Sequence, residues 1–200
     1  MYIKLKSNLF LILLILSFSS CNSQLSNFPK SHKNVTSKTS YSQMQEYLKK
    51  YSSKDYIHLD TIGQSSQGHP IYAININRKK SEEQWSIMLA GQQHGDEPAG
   101  KEAILYLLKY MAEDKNLVPE DLNLWLIPMV NPDGAIANQR RNGRGADLNR
   151  DHILLSQPET QAIHTLFRKV EPHIFVDCHE FGRDSQSYLD KGWREWPLIM

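Results

Sequence analysis

The sequence has few cysteines, no excess charge of either sign and no internal repeat. Its two cysteines are Cys21 and Cys178, and 23 basic against 22 acidic residues give a net charge of +1. No disulfide can therefore form within the chain that follows Cys21. The absence of a polybasic stretch argues against a nucleic-acid partner. With 200 residues, 40% of them hydrophobic, the chain can form one globular domain with a core, which leaves enzyme, binding module and scaffold open.

Only one long apolar run is present, and it lies at the N-terminus. Lys4 and Lys6 precede the run at 9–16, and Ser-Phe-Ser-Ser then leads to Cys21. These are the features of an export signal, and the run is shorter than the about 20 residues of a spanning helix. Small residues before a cysteine resemble a bacterial lipoprotein signal. We expect residues 1–21 to be a signal peptide ending at a lipidated Cys21, which anchors the protein to a membrane of the cell envelope; secretion or a periplasmic location is the alternative.

The next segment, 22–40, is rich in Ser, Asn and Lys and offers little to bury, so we predict a flexible tether. A catalytic domain is predicted over 41–200, beginning with a helix because Tyr41, Met44 and Leu48 recur at helical spacing.

Strands and helices alternate through that domain. The apolar patterns predict strands at 71–76, 85–90, 122–130 and 174–176, and helices at 98–112 and 158–170. The sequence Asn-Pro-Asp-Gly at 131–134 predicts a turn. Such alternation predicts an α/β fold in which helices cover both faces of a central sheet, mainly parallel or mixed. In these sheets the functional groups gather at the carboxyl ends of the strands.

Polar residues follow two of the predicted strands. His94 and Glu97 come after the strand at 85–90, three residues apart, and His179 follows the strand at 174–176. Taken alone, a His and a Glu at this spacing are more often exposed surface residues. Together, two imidazoles and a carboxylate make a ligand set for a catalytic zinc ion that keeps a fourth position for water.

An arginine-rich segment, 140–151, lies between these two groups. One interpretation is a solvated basic loop, and Arg141 and Arg144 fit it. The other is a recognition loop, because arginine binds a carboxylate with two parallel hydrogen bonds and can stabilise a developing oxyanion.

The whole set of motifs resembles the zinc carboxypeptidase family, the metallopeptidases that share the carboxypeptidase A fold. Five segments match in family order: GQSSQGHPI at 63–71, HGDE at 94–97, NPDG at 131–134, DLNR at 147–150 and DCH at 177–179.

The resemblance implies that His94, Glu97 and His179 bind one zinc ion. It implies a hydrolase that cleaves an amide bond next to a free carboxylate by metal-activated water, acting on peptides or acyl-amino acids. A carboxylate-binding lipoprotein without catalysis, or an amidase or deacylase of the same fold, is the alternative function.

The resemblance also assigns the residues around the ion. Asn149 and Arg150 would hold the terminal carboxylate of the substrate, Arg140 rather than Arg141 would stabilise the oxyanion, and Asp147 would hydrogen-bond a zinc-ligand histidine. Because neighbouring residues of a strand point in opposite directions, Cys178 should pack inside.

In the family, the glutamate that acts as general base comes well after the second zinc histidine. Only twenty-one residues follow His179. Glu180 should face away from His179 on a strand, and Glu195 comes too early to match. We therefore expect a fold that is incomplete at its C-terminus, and zinc binding without turnover.

Overall fold

The computed structural model describes residues 38–79 and 84–180. The elements in chain order are α1 (Tyr41–Tyr51), β1 (Ile57–Gln64), β2 (Pro70–Asn77), β3 (Trp85–Gly91), α2 (Ala99–Glu113), β4 (Leu122–Ile127), α3 (Pro132–Ala137), α4 (Pro158–Val170) and β5 (Ile174–Cys178). The predicted signal peptide with Cys21, most of the tether, and Glu195 lie outside the described residues. Thr39, at the end of the predicted tether, is buried and donates two hydrogen bonds to Glu102.

The five strands form one sheet in the order β1-β2-β4-β3-β5. β1 with β2 and β2 with β4 pair antiparallel, whereas β3 pairs parallel with both β4 and β5. The expected α/β fold is confirmed, and the sheet is mixed. β1 and β2 can pair antiparallel because a loop of only five residues, 65–69, joins them.

Helices cover both faces of the sheet, and each face has its own hydrophobic core. α1 and α2 pack on one face through Met44, Leu48, Ile104 and Leu108. α4 packs on the other, where Ile163 and Leu166 join a second cluster. This arrangement follows from the amphipathic pattern of the helices, since each buries one apolar stripe against the sheet.

The sequence missed or misjudged three features of the fold. β1 was not predicted, because the segment Ile57–Gln64 contains His, Asp, Thr and Gln and is largely exposed on an outer strand. The strand predicted at 122–130 ends at Ile127. Residues 131–134, predicted to form a turn, instead begin α3, because the side chain of Asn131 accepts a hydrogen bond from Gly134 N at 2.9 Å and caps the helix.

Asp133 holds the β1–β2 loop against the start of α3. It is 2% exposed and accepts hydrogen bonds from the hydroxyls of Ser65 and Ser66 and from the backbone N–H of Gln67, and it lies 2.7 Å from Nδ1 of His69. Burial alone would raise the pKa of Asp133, but these hydrogen bonds outweigh it and lower the pKa below its ordinary value. The segments 63–71 and 131–134 therefore meet in one structural contact.

The strand ends that carry the motifs lie side by side. In the parallel pair of β3 and β5, Gly91 is the register partner of Cys178. The residues that follow each strand therefore leave the sheet at the same edge.

In the part of the chain that the structure describes, no helix has the length and apolarity needed to cross a membrane.

Asp151 fixes the loop that joins the DLNR segment to α4. It is 5% exposed and accepts hydrogen bonds from the hydroxyls of Ser156 and Thr160 and from the backbone N–H groups of Ser156 and Gln157. Burial alone would raise the pKa of Asp151, but these hydrogen bonds lower it from 3.8 to about 2.

We expect Asp151→Asn to lower the free energy of unfolding at neutral pH by about 1–3 kcal/mol, since buried hydrogen bonds to a charged acceptor are lost. A carboxylate with a lowered pKa stabilises the fold above its unfolded pKa, and this stability disappears as the pH falls through the folded pKa. The difference between wild type and variant should therefore shrink as the pH falls from about 4 to about 2. Urea titrations across this range measure it.

Asp60→Asn provides the control, because Asp60 is exposed on β1. A stability difference at Asp151 that persists unchanged at the acid end of the range would contradict the explanation.

Candidate metal centre

Three side chains from the two strand ends meet at one point. Nδ1 of His94 lies 2.9 Å from Oε1 of Glu97, and Nδ1 of His179 lies 3.0 Å from Oε2 of the same carboxylate. The two Nδ1 atoms are 3.1 Å apart. The candidate ligand atoms of the three residues all lie within 4.8 Å of one another. The structure thus brings together residues that are separated by up to 85 positions in sequence.

The outer nitrogen of each histidine is bonded to a separate carboxylate. Nε2 of His94 lies 3.1 Å from Oδ1 of Asp147, and Nε2 of His179 lies 2.9 Å from Oδ2 of Asp177. A carboxylate accepts, so each Nε2 donates to its own carboxylate, and Nδ1 is the nitrogen of each ring that would bind an ion once its proton is displaced. Histidines that bind metals show this pattern. The donor set therefore fits a divalent zinc ion, for which two imidazoles and one carboxylate are a known catalytic combination.

The electrostatics of the three residues also favour the binding of a cation. Burial alone would raise the pKa of Glu97, but hydrogen bonds from His179, His94 and the backbone N–H of Glu180 hold it below its ordinary value. Hydrogen bonds to Asp177 and Glu97 outweigh burial and raise the pKa of His179 to about 9. The carboxylates that surround the two imidazoles would therefore stabilise a cation placed between the rings.

Arg140 reaches the cluster and Arg141 does not. Arg140 donates from Nη1 to Oε1 of Glu97 at 3.1 Å and from Nε to Oδ2 of Asp147 at 3.2 Å. Arg141 instead donates to the backbone carbonyl of Gly145 at 2.9 Å. The side chain of Arg140 is 44% exposed, so it borders the cluster on the side that faces solvent.

Asn149 and Arg150 lie on a short turn, Leu148–Arg150, directly after Asp147. Asp147 Oδ1 accepts from the backbone N–H of Asn149 at 3.0 Å as well as contacting His94. One carboxylate therefore links this turn to the cluster. Arg150 is exposed, and its guanidinium donates to the carbonyl of Asn149 at 3.3 Å.

Glu180 and Cys178 face away from the cluster. The carboxylate of Glu180 accepts from the backbone N–H of Ala99 at 3.1 Å, near the start of α2. Cys178 packs against Gly100, where an added Cβ would come within 2.6 Å of the cysteine Cβ. Burial, with Asp177 nearby, raises the pKa of the thiol. Both orientations agree with the alternation expected along a strand.

Gly95, the residue after His94, lies where the HGDE segment comes very close to the start of α3. A Cβ on Gly95 would overlap the backbone of Gly134 and Ala135 at the start of α3. Gly95 N also donates to the carbonyl of Arg140 at 3.3 Å. The HGDE segment can therefore lie against the NPDG segment and the arginine loop only if this position has no side chain.

Sequence reasoning missed a second group of residues behind the cluster. Gln93, buried to 2% exposure, donates to Asp177 at 2.9 Å, and its carbonyl oxygen lies 2.5 Å from His152. His152 in turn contacts His164 at 3.1 Å. The spacing of Asp177 two residues before His179 was a usable signal, because alternate residues of a strand share a face. Nothing in the local sequence distinguishes Gln93 from Gln92.

Comparison with known proteins relates more than half of the chain to one family. The sequence profile of the zinc carboxypeptidase family matches residues 40–154. Carboxypeptidase 2 of Trichophyton tonsurans is 38% identical over 106 residues, which are 52% of this chain and 20% of that protein. The chain spans about a fifth of the length of the first such relatives.

Solved structures show the same fold. Carboxypeptidase A from Helicoverpa armigera aligns with a TM-score of 0.67 and 20% identity, over 88% of this chain and 53% of that one. A metallo-carboxypeptidase from Pseudomonas aeruginosa, in complex with (2-guanidinoethylmercapto)succinic acid, aligns with a TM-score of 0.60 and 24% identity, over 70% of this chain and 40% of that one.

Proposed function

The chain belongs to the zinc carboxypeptidase family, and from this premise we propose that it contributes the zinc-binding part of a hydrolase that cleaves an amide bond next to a free carboxylate. One observation carries the proposal. Nδ1 of His94, Nδ1 of His179 and the carboxylate of Glu97 converge while both outer nitrogens are held by carboxylates. This arrangement gives three ligands and leaves further coordination positions for reactants.

His94, Glu97 and His179 would hold one zinc ion. When bound, zinc supplies Lewis acidity, which polarises a carbonyl group and lowers the pKa of water. Asp147 would orient the ring of His94 through the 3.1 Å contact with Nε2.

Arg140 is proposed to stabilise the oxyanion that develops on the scissile carbonyl. Its contacts with Glu97 and Asp147 fix the guanidinium beside the ligands, and its exposure leaves N–H groups accessible to a substrate. A guanidinium at such a position favours negative charge in the transition state. Arg141 is less suited, because its guanidinium donates to Gly145.

Asn149 and Arg150 are proposed to bind the free carboxylate of the substrate. The exposed guanidinium of Arg150 can offer two parallel N–H groups to a carboxylate. Asp147 ties their turn to the ligand cluster, so the carboxylate and the scissile bond would be held at a defined separation. The succinic acid derivative in the complex of the Pseudomonas aeruginosa protein is an apt probe, since it carries carboxylates.

A matched pair of peptides tests the function. The two peptides are identical except that one ends in a free carboxylate and the other in a carboxamide. We expect zinc-loaded protein to bind the free peptide at least about 10-fold more tightly, because a bidentate charged hydrogen bond contributes about 1.5–3 kcal/mol. Calorimetry measures the binding, and mass spectrometry follows chelator-sensitive release of the last residue.

Equal binding or equal hydrolysis of the two peptides would contradict recognition of a free carboxylate. Preference for the free peptide without hydrolysis is the result expected of this chain, for which zinc binding without turnover is predicted; chelator-sensitive hydrolysis would contradict that expectation. An N-acyl amino acid included beside the peptides separates a deacylase from a carboxypeptidase, because only a deacylase would prefer it.

We also propose export with lipid modification of Cys21, on the basis of the N-terminal sequence features described above. Cys21→Ser should then abolish incorporation of a labelled fatty acid into the protein. Unlabelled wild-type protein in the periplasm or the medium would favour simple secretion.

A further inference from the structure

We propose that Gln93 is a positioning residue of the metal centre: it holds Asp177, and through Asp177 it keeps the ring of His179 directed at the ligand cluster. The inference rests on the proposed function, since it concerns how one of the proposed zinc ligands is held. It assigns a role to a buried side chain outside the ligand set.

The carboxylate of Asp177 is held through one oxygen. Its Oδ2 accepts from Nε2 of Gln93 at 2.9 Å and from Nε2 of His179 at 2.9 Å. Its Oδ1 is buried and has no hydrogen-bond partner among residues 38–79 and 84–180. Within that part of the chain, Gln93 is thus the group that fixes Asp177 against His179.

The hydrogen bonds of Gln93 have directions that follow from the chemistry of a carboxylate. A carboxylate accepts, so the amide nitrogen of Gln93 faces Asp177 and the amide oxygen faces His152. Nε2 of His152, 2.5 Å from that oxygen, must then be the donor. Nδ1 of His152 lies 3.1 Å from Nε2 of His164. Gln93 therefore connects Asp177 with a pair of histidines behind the cluster.

The two halves of the centre are supported in different ways. Asp147, behind His94, is held by the partly exposed Arg140 and by the N–H of Asn149. Asp177 is held by Gln93, which is 2% exposed. The support behind His94 thus faces the side where a substrate would bind, whereas Gln93 supports His179 from the interior. Loss of Gln93 would let Asp177 turn, and the ring of His179 would lose the partner that selects its Nε2–H form.

The test compares two neighbouring glutamines of one loop. Gln92 is as buried as Gln93, but its side chain donates to the carbonyl of Gly95 at 2.8 Å. We expect Gln93→Met to weaken zinc binding by about 10-fold, the lower end of the effect of removing a group bonded to a ligand histidine, because Gln93 acts on His179 only through Asp177. Gln92→Met should change it little. Competition with a chelating dye measures the affinity, and thermal unfolding of the zinc-free proteins reports whether each variant is folded.

A spectroscopic readout separates positioning from packing. In zinc-loaded wild type the Nε2–H proton of His179 should give a slowly exchanging NMR signal, because it is bonded to Asp177. The signal should persist in Gln92→Met and be lost to exchange in Gln93→Met. If Gln93→Met does not fold, Gln93→Glu replaces it, since that side chain keeps an acceptor for His152 but has no N–H for Asp177.

The possible outcomes are distinct. Wild-type zinc affinity and an intact His179 signal in the Gln93 variants would overturn the inference while leaving the metal site in place. Equal losses in Gln92→Met and Gln93→Met would overturn it too, because loop packing would then explain both. If wild-type protein binds no zinc, the proposed function and the inference fail together.

Discussion

Replacing His179 with alanine should lower the affinity for zinc by more than about 100-fold, since the loss of an outer partner alone costs about 10–100-fold and a ligand contributes more. The imidazole supplies one of the three converging donors, and Glu97 and His94 alone cannot complete the set. Metal analysis after dialysis should give one zinc per wild-type chain and almost none per variant chain.

Two further variants test whether the loss of zinc binding is specific to His179. Asp147→Asn should cause a smaller loss than His179→Ala, because it leaves all three ligands in place and changes a residue that contacts His94 from outside the ligand set. His173 is close in sequence to His179 but lies at the other end of β5, where its Nδ1 accepts a hydrogen bond from the backbone N–H of Ser86. His173→Ala should therefore leave zinc binding intact. Full zinc occupancy in His179→Ala would exclude His179 from the site.

Replacing Arg150 with lysine should weaken binding of a carboxylate-bearing ligand to the zinc-loaded protein by about 10–100-fold, because a hydrogen-bonded charged pair contributes about 1.5–3 kcal/mol and lysine cannot form the bidentate contact. Zinc affinity should stay near that of wild type, since Arg150 contacts Asn149 and not the ligands. Titration with a peptide and with a succinic acid derivative measures both effects.

Arg144→Lys is the matched control, because Arg144 is exposed in the same loop but lies outside the turn Leu148–Arg150. Ligand binding should not change in this variant. Equal losses in the two variants would indicate general attraction by a basic loop, and an unchanged Arg150→Lys would remove this residue from the recognition site.

Sequence reasoning singled out the three residues that the structure brings together, because the signals were local. His94 with Glu97, and Asp177 with His179, each follow a strongly apolar strand, and strand ends of parallel neighbours meet. The choice of Arg140 over Arg141 as the oxyanion-stabilising residue came from the family pattern and stays a prediction; in the structure Arg140 contacts Glu97, whereas Arg141 contacts Gly145. Alternating elements also predicted the α/β fold.

The features that were missed depend on tertiary contacts. β1 has no clean alternation of apolar residues, since an outer strand can be largely exposed and still pair with β2. Asn131 was assigned to a turn, but its side chain caps a helix, and the same residue types favour both structures. Gln93 and Gln92 are chemically identical neighbours, and only the fold decides that one of them contacts Asp177.

The candidate ligands come from two strands whose side-by-side pairing exists only in the folded chain. His94 and Glu97 lie three residues apart and could meet in an unfolded chain, but His179 joins them only when β5 pairs with β3. Zinc held by all three would therefore act as a cross-link between distant parts of the sequence and would favour the folded state by mass action. Free zinc at 100 times its dissociation constant would add about 2.7 kcal/mol to the free energy of unfolding. The persistence of the β3–β5 pairing would then vary with the zinc concentration around the protein.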